Sequence, residues 1–319
     1  MEESFNPKRT KLLAVVGPTA SGKTALAVRL AKVFGGEVIS CDSMQVYRAM
    51  PISTAVPTME ERCGVPHHMM EILEPEETFS VAEYCKRAGE CIDAVTARGV
   101  LPILCGGTGL YYNSLVDGIA FADTEELPEL RERLWQRVQQ EGGEPLLEQL
   151  REIDPETAAR LYPADHKRII RALEVYEATG IPLSEHNRRS REKPPRWELC
   201  VLGLDYRDRA LLYDRINRRV DAMLEAGLLD EARRMMERGA GHTASLAIGC
   251  KEIAPYLQGQ CTLEEAAERL KMETRRFAKR QLSWFRRDKR IQWIYVDDEE
   301  SPEAALLRAE EIAKEFVYG

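Results

Sequence analysis

Apolar residues in the first third of the chain come in short unbroken runs at 12–16 (LLAVV), 37–41 (EVISC) and 100–105 (VLPILC). Stretches that read as helix lie between these runs, and the alternation predicts a parallel α/β sheet. A helix is expected from Lys23 to about Phe34, where Gly35-Gly36 stops it. Another begins at Ser80, with Glu83 closing a capping box. Residues 49–78, with Pro51, Pro57, Pro66 and Pro75, read as loop.

From about residue 120 the pattern changes. Strand signals vanish, and charged amphipathic segments follow one another at 127–141, 144–151, 155–162 and 165–179. Asp154-Pro155 supplies a capping side chain and a first-turn proline, Gly180 ends the last segment, and 181–196 reads as a basic link. Strands return at 197–206 and 290–296, with helices at 207–238 and 262–288 and a second capping box at Thr262 and Glu265. The helical block therefore reads as an insertion into an α/β domain.

The first strand runs straight into GPTASGKT at 17–24, a phosphate-loop match. Its chemistry is direct: backbone N–H groups of 17–22 are expected to point into the loop, the following helix adds positive potential, and Lys23 adds a point charge. Thr24 is the expected Mg²⁺ ligand. The fold expected is a P-loop NTPase-like parallel core at 1–119 and 197–319 with an all-helical insertion at 120–196. A P-loop ATPase also wants an Asp after a second apolar strand. Here 100–105 is followed by Gly106-Gly107-Thr108-Gly109, which weighs against a motor, helicase or GTPase and leaves a small-molecule kinase as a competitor.

Asp42, just past the second strand, should face the phosphate loop, because open α/β sheets bind ligands at the carboxyl ends of their strands. It reads either as a structural cap or as a carboxylate that accepts a proton from a nucleophile. His67-His68 reads as structural, since adjacent side chains point to different sides of the backbone.

Composition narrows the setting. The chain has 319 residues, ordinary apolar and charged content, and no apolar run near the roughly 20 residues that span a bilayer. No signal peptide is read at the N-terminus. Eight cysteines without C-x-x-C spacing read as reduced thiols of a cytoplasmic protein. The net charge of −8 argues against indiscriminate nucleic-acid binding, but it hides two basic segments. Residues 275–290 carry eight Lys/Arg against Asp288 alone, and 166–196 carry eight against four Glu. Two basic patches on an acidic chain point to a polyanion held at a defined place. Trp284 and Phe285, inside the first patch, also read as the apolar face of a long helix.

Beyond the phosphate loop, the segments CDSMQVYRAM (41–50), VPHHMMEI (65–72), GGTGLYYN (106–113), RIIRALEVYEATG (168–180) and AKRQLSWFR (278–286) occur in order. With these, the chain from about residue 10 to 296 resembles the bacterial tRNA dimethylallyltransferase (tRNA isopentenyltransferase) family. The resemblance implies that Gly17, Thr19, Ala20, Ser21, Gly22, Lys23 and Thr24 cradle the diphosphate of dimethylallyl diphosphate, with Mg²⁺ as cofactor and no ATP consumed. The acceptor would be N6 of adenosine-37, the nucleotide 3′ of the tRNA anticodon, flipped into a channel, as chemistry on a base generally requires. Asp42 would be the general base. Thr108 and Arg219 would stabilise the diphosphate oxygens, and Ser43, Met44 and Gln45 would contact the base and its neighbours. Lys167, Arg168 and Arg171, with Lys279, Arg280, Gln281, Trp284 and Arg286, would hold the anticodon stem-loop. The expected enzyme is a monomer with no membrane association.

Two departures stand out. Where the family typically reads M-D-I-G-T-A-K-P, this chain has Met50-Pro51-Ile52-Ser53-Thr54-Ala55-Val56-Pro57, and the usual I-G-Y-K-E appears with Cys250 in third place. Both touch the expected RNA contacts and leave the cradle and Asp42 intact. The related adenylate isopentenyltransferases, which prenylate a free nucleotide, have little of the helical insertion.

Overall fold

Strand β1 (Thr10–Val16) lies inside a six-stranded sheet. The sheet is completed by β2 (Gly36–Ser40), β3 (His67–His68), β4 (Leu101–Gly106), β5 (Trp197–Asp205) and β6 (Ile291–Tyr295). The order is β3-β2-β4-β1-β5-β6, and every pairing is parallel. The computed structural model describes residues 9–119, 127–192, 194–239, 241, 244 and 247–319, residue 191 by its backbone only. The N-terminal end read for a signal peptide lies outside the described residues.

The apolar runs do become the inner strands. β1 starts two residues before its run, because the ladder is a backbone device: Thr10 and Lys11 pair with Trp197 and Glu198. The helix Lys23–Phe34 lays Leu26 and Leu30 into the core formed with Leu13, Val15, Ile103, Leu202 and Ile216.

The segment read as loop at 49–78 contains two small elements. Thr58 and Glu61 make a reciprocal capping box on the helix Met59–Arg62, and His67–His68 pairs with Val38 and Ile39 as the edge strand β3. The span 207–238 is two helices, Arg209–Glu225 and Leu228–Arg238, parted at Gly227, whose φ of 101° breaks the helical path. Cys250–Leu257 is a further helix, and Pro302–Tyr318 closes the chain as another. Ser301 caps that last helix through Ala304 N–H, and Ala305, Ala309 and Ala313 are buried against the core.

The chain divides into two compact units, Val116–Pro195 and the remainder. The described part of the smaller unit is helical, and Leu134, Val138, Leu146, Leu147, Leu150, Ile169, Ile170 and Leu173 form its own core. Buried Glu174 is held there by Arg131 at 2.6 Å and by Arg171 at 3.6 Å. The basic link read at 181–196 is largely the helix Leu183–Glu192, stapled by Glu185 to Arg188 and Arg189.

Candidate active site

The phosphate loop is held in shape by groups far away in sequence. Gly17 sits at φ 140° with the Leu204 carbonyl so close that a Cβ would lie 2.4 Å from its oxygen. Ala20 occupies the left-handed region at φ 62°, and its carbonyl accepts from Arg215 Nε at 2.9 Å. The Thr19 N–H donates to Gln281 Oε1 at 2.8 Å, and Lys23 Nζ donates to the Pro18 carbonyl at 2.6 Å. Thr19's amide is therefore spent on a side chain rather than presented to a ligand. Ser21 is buried, and its hydroxyl has no partner among the described residues.

A cavity of about 1070 Å³ opens over the loop, and Thr19, Ala20, Gly22, Lys23 and Thr24 line it. Gly17 and Ser21, the other two expected diphosphate residues, support the loop from outside the cavity wall. Burial pulls the Lys23 ammonium down to about 8, the nearby Arg219 adds to the effect, and Cys105 and Asp42 oppose it. Burial also lowers the Arg219 guanidinium, against the pull of Asp42 and Glu61. Two cations are thus held partly desolvated in one cavity, the setting in which an anionic group is bound most strongly.

Asp42 follows β2 and lines the same cavity. Its Oδ1 accepts the Met44 N–H at 2.9 Å, so one oxygen serves as a local turn cap while Oδ2 takes no hydrogen bond among the described residues. The two readings of Asp42 are thus compatible. Ser43, Met44, Gln45 and Arg219 complete this wall. Gln45 is braced, with Ser40 Oγ donating to its Oε1 at 2.8 Å and its Nε2 donating to the Ala55 carbonyl at 3.0 Å. Thr108 stands behind Gly107. Its Oγ1 accepts from Ser43 N–H at 2.9 Å and donates to Ser43 Oγ at 3.3 Å, so it ties the loop after β4 to the loop after β2.

The loop at 50–57 forms another part of the wall. It is anchored by Glu231, a buried carboxylate that accepts Ile52 N–H at 2.9 Å and Ser53 N–H at 2.8 Å. Sequence reasoning missed Glu231, and also Glu61, Arg215 and Arg218 in the cavity wall. Arg215 and Arg218 lie in the same RINRR run as Arg219, so their helical spacing was the available signal. Glu231 gave none, because its partners are backbone groups.

The basic helix Leu263–Phe285 sorts its residues by face. Lys279 and Arg280 are exposed, and Arg280 reaches the cavity wall. Gln281 is buried. Trp284 lies on Gly109, where a Cβ would meet its ring at 2.2 Å, and its indole N–H donates to Asn113. Phe285 is buried edge-on to Tyr112. Arg286, just past the helix, pairs at 3.1 Å with the buried Asp205. In the helical unit Lys167 and Arg168 are exposed, and Arg168 has a loose 3.5 Å pairing to Asp165. Arg171 is committed to Glu174.

Among the described residues no cluster of three His, Cys, Asp or Glu side chains could hold a metal ion. No helix among them is long and apolar enough to cross a membrane. The eight cysteines are free thiols. In the adjacent pair His67-His68, His67 Nδ1 bonds the Val65 carbonyl while the residue lines the cavity with its Nε2 unpartnered among the described residues, and His68 Nε2 bonds Glu37.

Comparison with known proteins identifies the family. The family described as IPP transferase matches residues 45–288, and that described as isopentenyl transferase matches 10–68. A tRNA dimethylallyltransferase of Caldanaerobacter subterraneus subsp. tengcongensis is 49% identical, over 90% of this chain and 92% of its own length. One from Symbiobacterium thermophilum is also 49% identical, over 95% and 94%. The crystal structure of a tRNA isopentenylpyrophosphate transferase from Bacillus halodurans matches with TM-score 0.71 and 43% identity, covering 96% of each chain. A eukaryotic dimethylallyltransferase acting on tRNA matches with TM-score 0.82 and 29% identity, covering 97% of this chain and 79% of that one. With a family match across most of its length and an α/β sheet that carries the phosphate loop and Asp42 on one cavity, this chain belongs to the IPP transferase family and is a transferase.

Proposed function

We propose that the chain transfers the dimethylallyl group of dimethylallyl diphosphate to N6 of the adenosine immediately 3′ of the anticodon in tRNA, releasing diphosphate. The observation that carries this reading is the shared cavity, where Lys23 and Arg219 stand in one wall system with Asp42. A diphosphate seated on the phosphate loop would meet both cations. Asp42 Oδ2 would face the incoming amine.

Lys23, Arg219 and the loop's remaining N–H groups would hold the leaving group and stabilise the charge that gathers on it as the carbon–oxygen bond breaks. Asp42 would accept the N6 proton as the new carbon–nitrogen bond forms. Thr108, through its bonds to Ser43, would keep Asp42 at its station. Thr24, whose side chain lines the cavity beside Lys23, fits as a Mg²⁺ ligand, since this ion keeps several waters and takes its other oxygens from phosphates. When bound, Mg²⁺ would neutralise charge on the diphosphate. The adenosine would be flipped out of the anticodon loop to enter the cavity. Lys279 and Arg280, and Lys167 and Arg168 on the helical unit, would neutralise stem-loop phosphates. We take the enzyme to be a cytoplasmic monomer.

Incubation with dimethylallyl diphosphate, Mg²⁺ and unmodified tRNA, followed by nucleoside mass spectrometry, tests the reading. N6-dimethylallyladenosine at the position 3′ of the anticodon is the expected product. Transfer of phosphate from ATP instead, with no prenylated nucleoside, would replace it with a kinase.

A further inference from the structure

Gln281 stands on the same helix as the exposed cations Lys279 and Arg280 and lines the cavity together with Arg280, but its amide is spent on backbone groups. It is buried at 6% exposure. Its Oε1 accepts the Thr19 N–H at 2.8 Å, and its Nε2 donates to the Gly107 carbonyl at 2.9 Å. A Cβ on Gly107 would lie 2.2 Å from that same Nε2, so the amide is seated flush against bare backbone. Both ends of the amide are engaged, one on each of the two loops that follow β1 and β4.

We infer that Gln281 is a positioning residue that fixes the phosphate loop against the loop carrying Thr108, and that it does not contact RNA. This rests on the reading of the cavity as a diphosphate site. A primary amide suits the task because it offers an acceptor and a donor on one rigid plane. Thr19 and Gly107 need these opposite partners. From Gly107 the connection continues through Thr108 Oγ1 to Ser43 N–H, next to Asp42. Gln281 therefore sets the separation between the cradle of the leaving group and the carboxylate that faces the amine. Reacting groups must be held to within a fraction of an ångström for the rate to benefit.

The discriminating measurement is calorimetric binding of inorganic diphosphate alongside anticodon stem-loop affinity, for wild type, Gln281→Leu and Gln281→Glu. Gln281→Leu strands the Thr19 N–H and the Gly107 carbonyl, and diphosphate affinity should fall about tenfold or more. Stem-loop affinity should not change. Gln281→Glu keeps the acceptor for Thr19 but turns a second oxygen on the Gly107 carbonyl and adds negative charge beside the cradle, so diphosphate affinity should fall here too; if the Leu variant does not fold, wild type against Glu carries the comparison. Weakened stem-loop binding with diphosphate affinity intact would overturn the inference and return Gln281 to the RNA contacts. A wild type that binds diphosphate and transfers no dimethylallyl group would overturn the proposed reaction alone. A wild type that binds no diphosphate would overturn both.

Discussion

The backbone N–H of Ser43 donates to the hydroxyl of Thr108 at 2.9 Å, a bond between loops 65 residues apart in the chain. It fixes the residue next to Asp42, so the placement of the carboxylate depends on a side chain that does not itself line the cavity. Thr108→Val keeps the shape and removes the acceptor. The single-turnover rate of prenyl transfer should drop about tenfold, the size expected for one stranded amide, while stem-loop affinity holds. A variant with the wild-type rate would show that the Ser43 tie is not needed to place Asp42.

Asp42→Asn keeps a side-chain oxygen for the Met44 N–H and loses the basic carboxylate. Diphosphate binding should survive. The chemical step should slow by roughly 10²–10⁴, the usual worth of a positioned general base. Rapid-quench single-turnover kinetics decides the point, and an unchanged rate would leave Asp42 with only its turn-capping role.

Lys23 makes the site sensitive to pH in a defined direction. Its ammonium titrates near 8, far below an ordinary lysine, because burial disfavours the charged form. If diphosphate is held by that charge as proposed, affinity should fall as pH rises through this value, by about tenfold between pH 7 and pH 9 from this group. Calorimetry across the range should show this for wild type. Lys23→Ala should bind weakly throughout and lose the slope. If its slope persists, another group sets the pH dependence.

Buried runs such as 12–16 and 100–105 were legible because inner parallel strands must be apolar on both faces, and GPTASGKT because its shape demands those residues. The closing helix Pro302–Tyr318 was not read, although Ser301-Pro302 is a sound start signal, because its apolar stripe is mainly small alanines among acids. The edge strand His67–His68 is two residues long and carries no period. Glu231 and the loop-bridging bonds of Gln281, a residue read only as an RNA contact, escaped for a deeper reason. Their partners are backbone groups of distant loops, and no local pattern encodes a side chain whose role is to satisfy someone else's main chain.

Glu231 gives a stability prediction. Its carboxylate is buried and takes two N–H groups of the altered 50–57 loop, at 2.9 and 2.8 Å. Glu231→Ala would leave both without a partner, at a cost of about 1–3 kcal/mol each before any relaxation. Unfolding in urea should show a loss of roughly 2–4 kcal/mol. Glu231→Gln should be milder, since the amide retains one acceptor. An alanine variant as stable as wild type would mean that water replaces the carboxylate and that the loop does not depend on it.

The last prediction concerns the helical unit, and the structure changes how it must be tested. Lys167, Arg168 and Arg171 form one basic run, but Arg171 pairs at 3.6 Å with buried Glu174, so its removal would leave that charge to Arg131 alone and weaken the unit itself. Lys167 and Arg168 are exposed, and Arg168 has only the 3.5 Å pairing to Asp165. Lys167→Ala with Arg168→Ala is therefore the clean variant. If both cations neutralise stem-loop phosphates, tRNA affinity should fall, and the slope of log affinity against log salt should flatten by roughly 1.5, about 0.7–0.9 per lost contact. Diphosphate affinity should be untouched, because every diphosphate group named above belongs to the other unit. Adding Arg171→Ala should lower the melting temperature beyond the double variant. An unchanged salt slope in the double variant would place these two cations in solvent and leave Lys279 and Arg280 as the principal candidates for gripping the RNA.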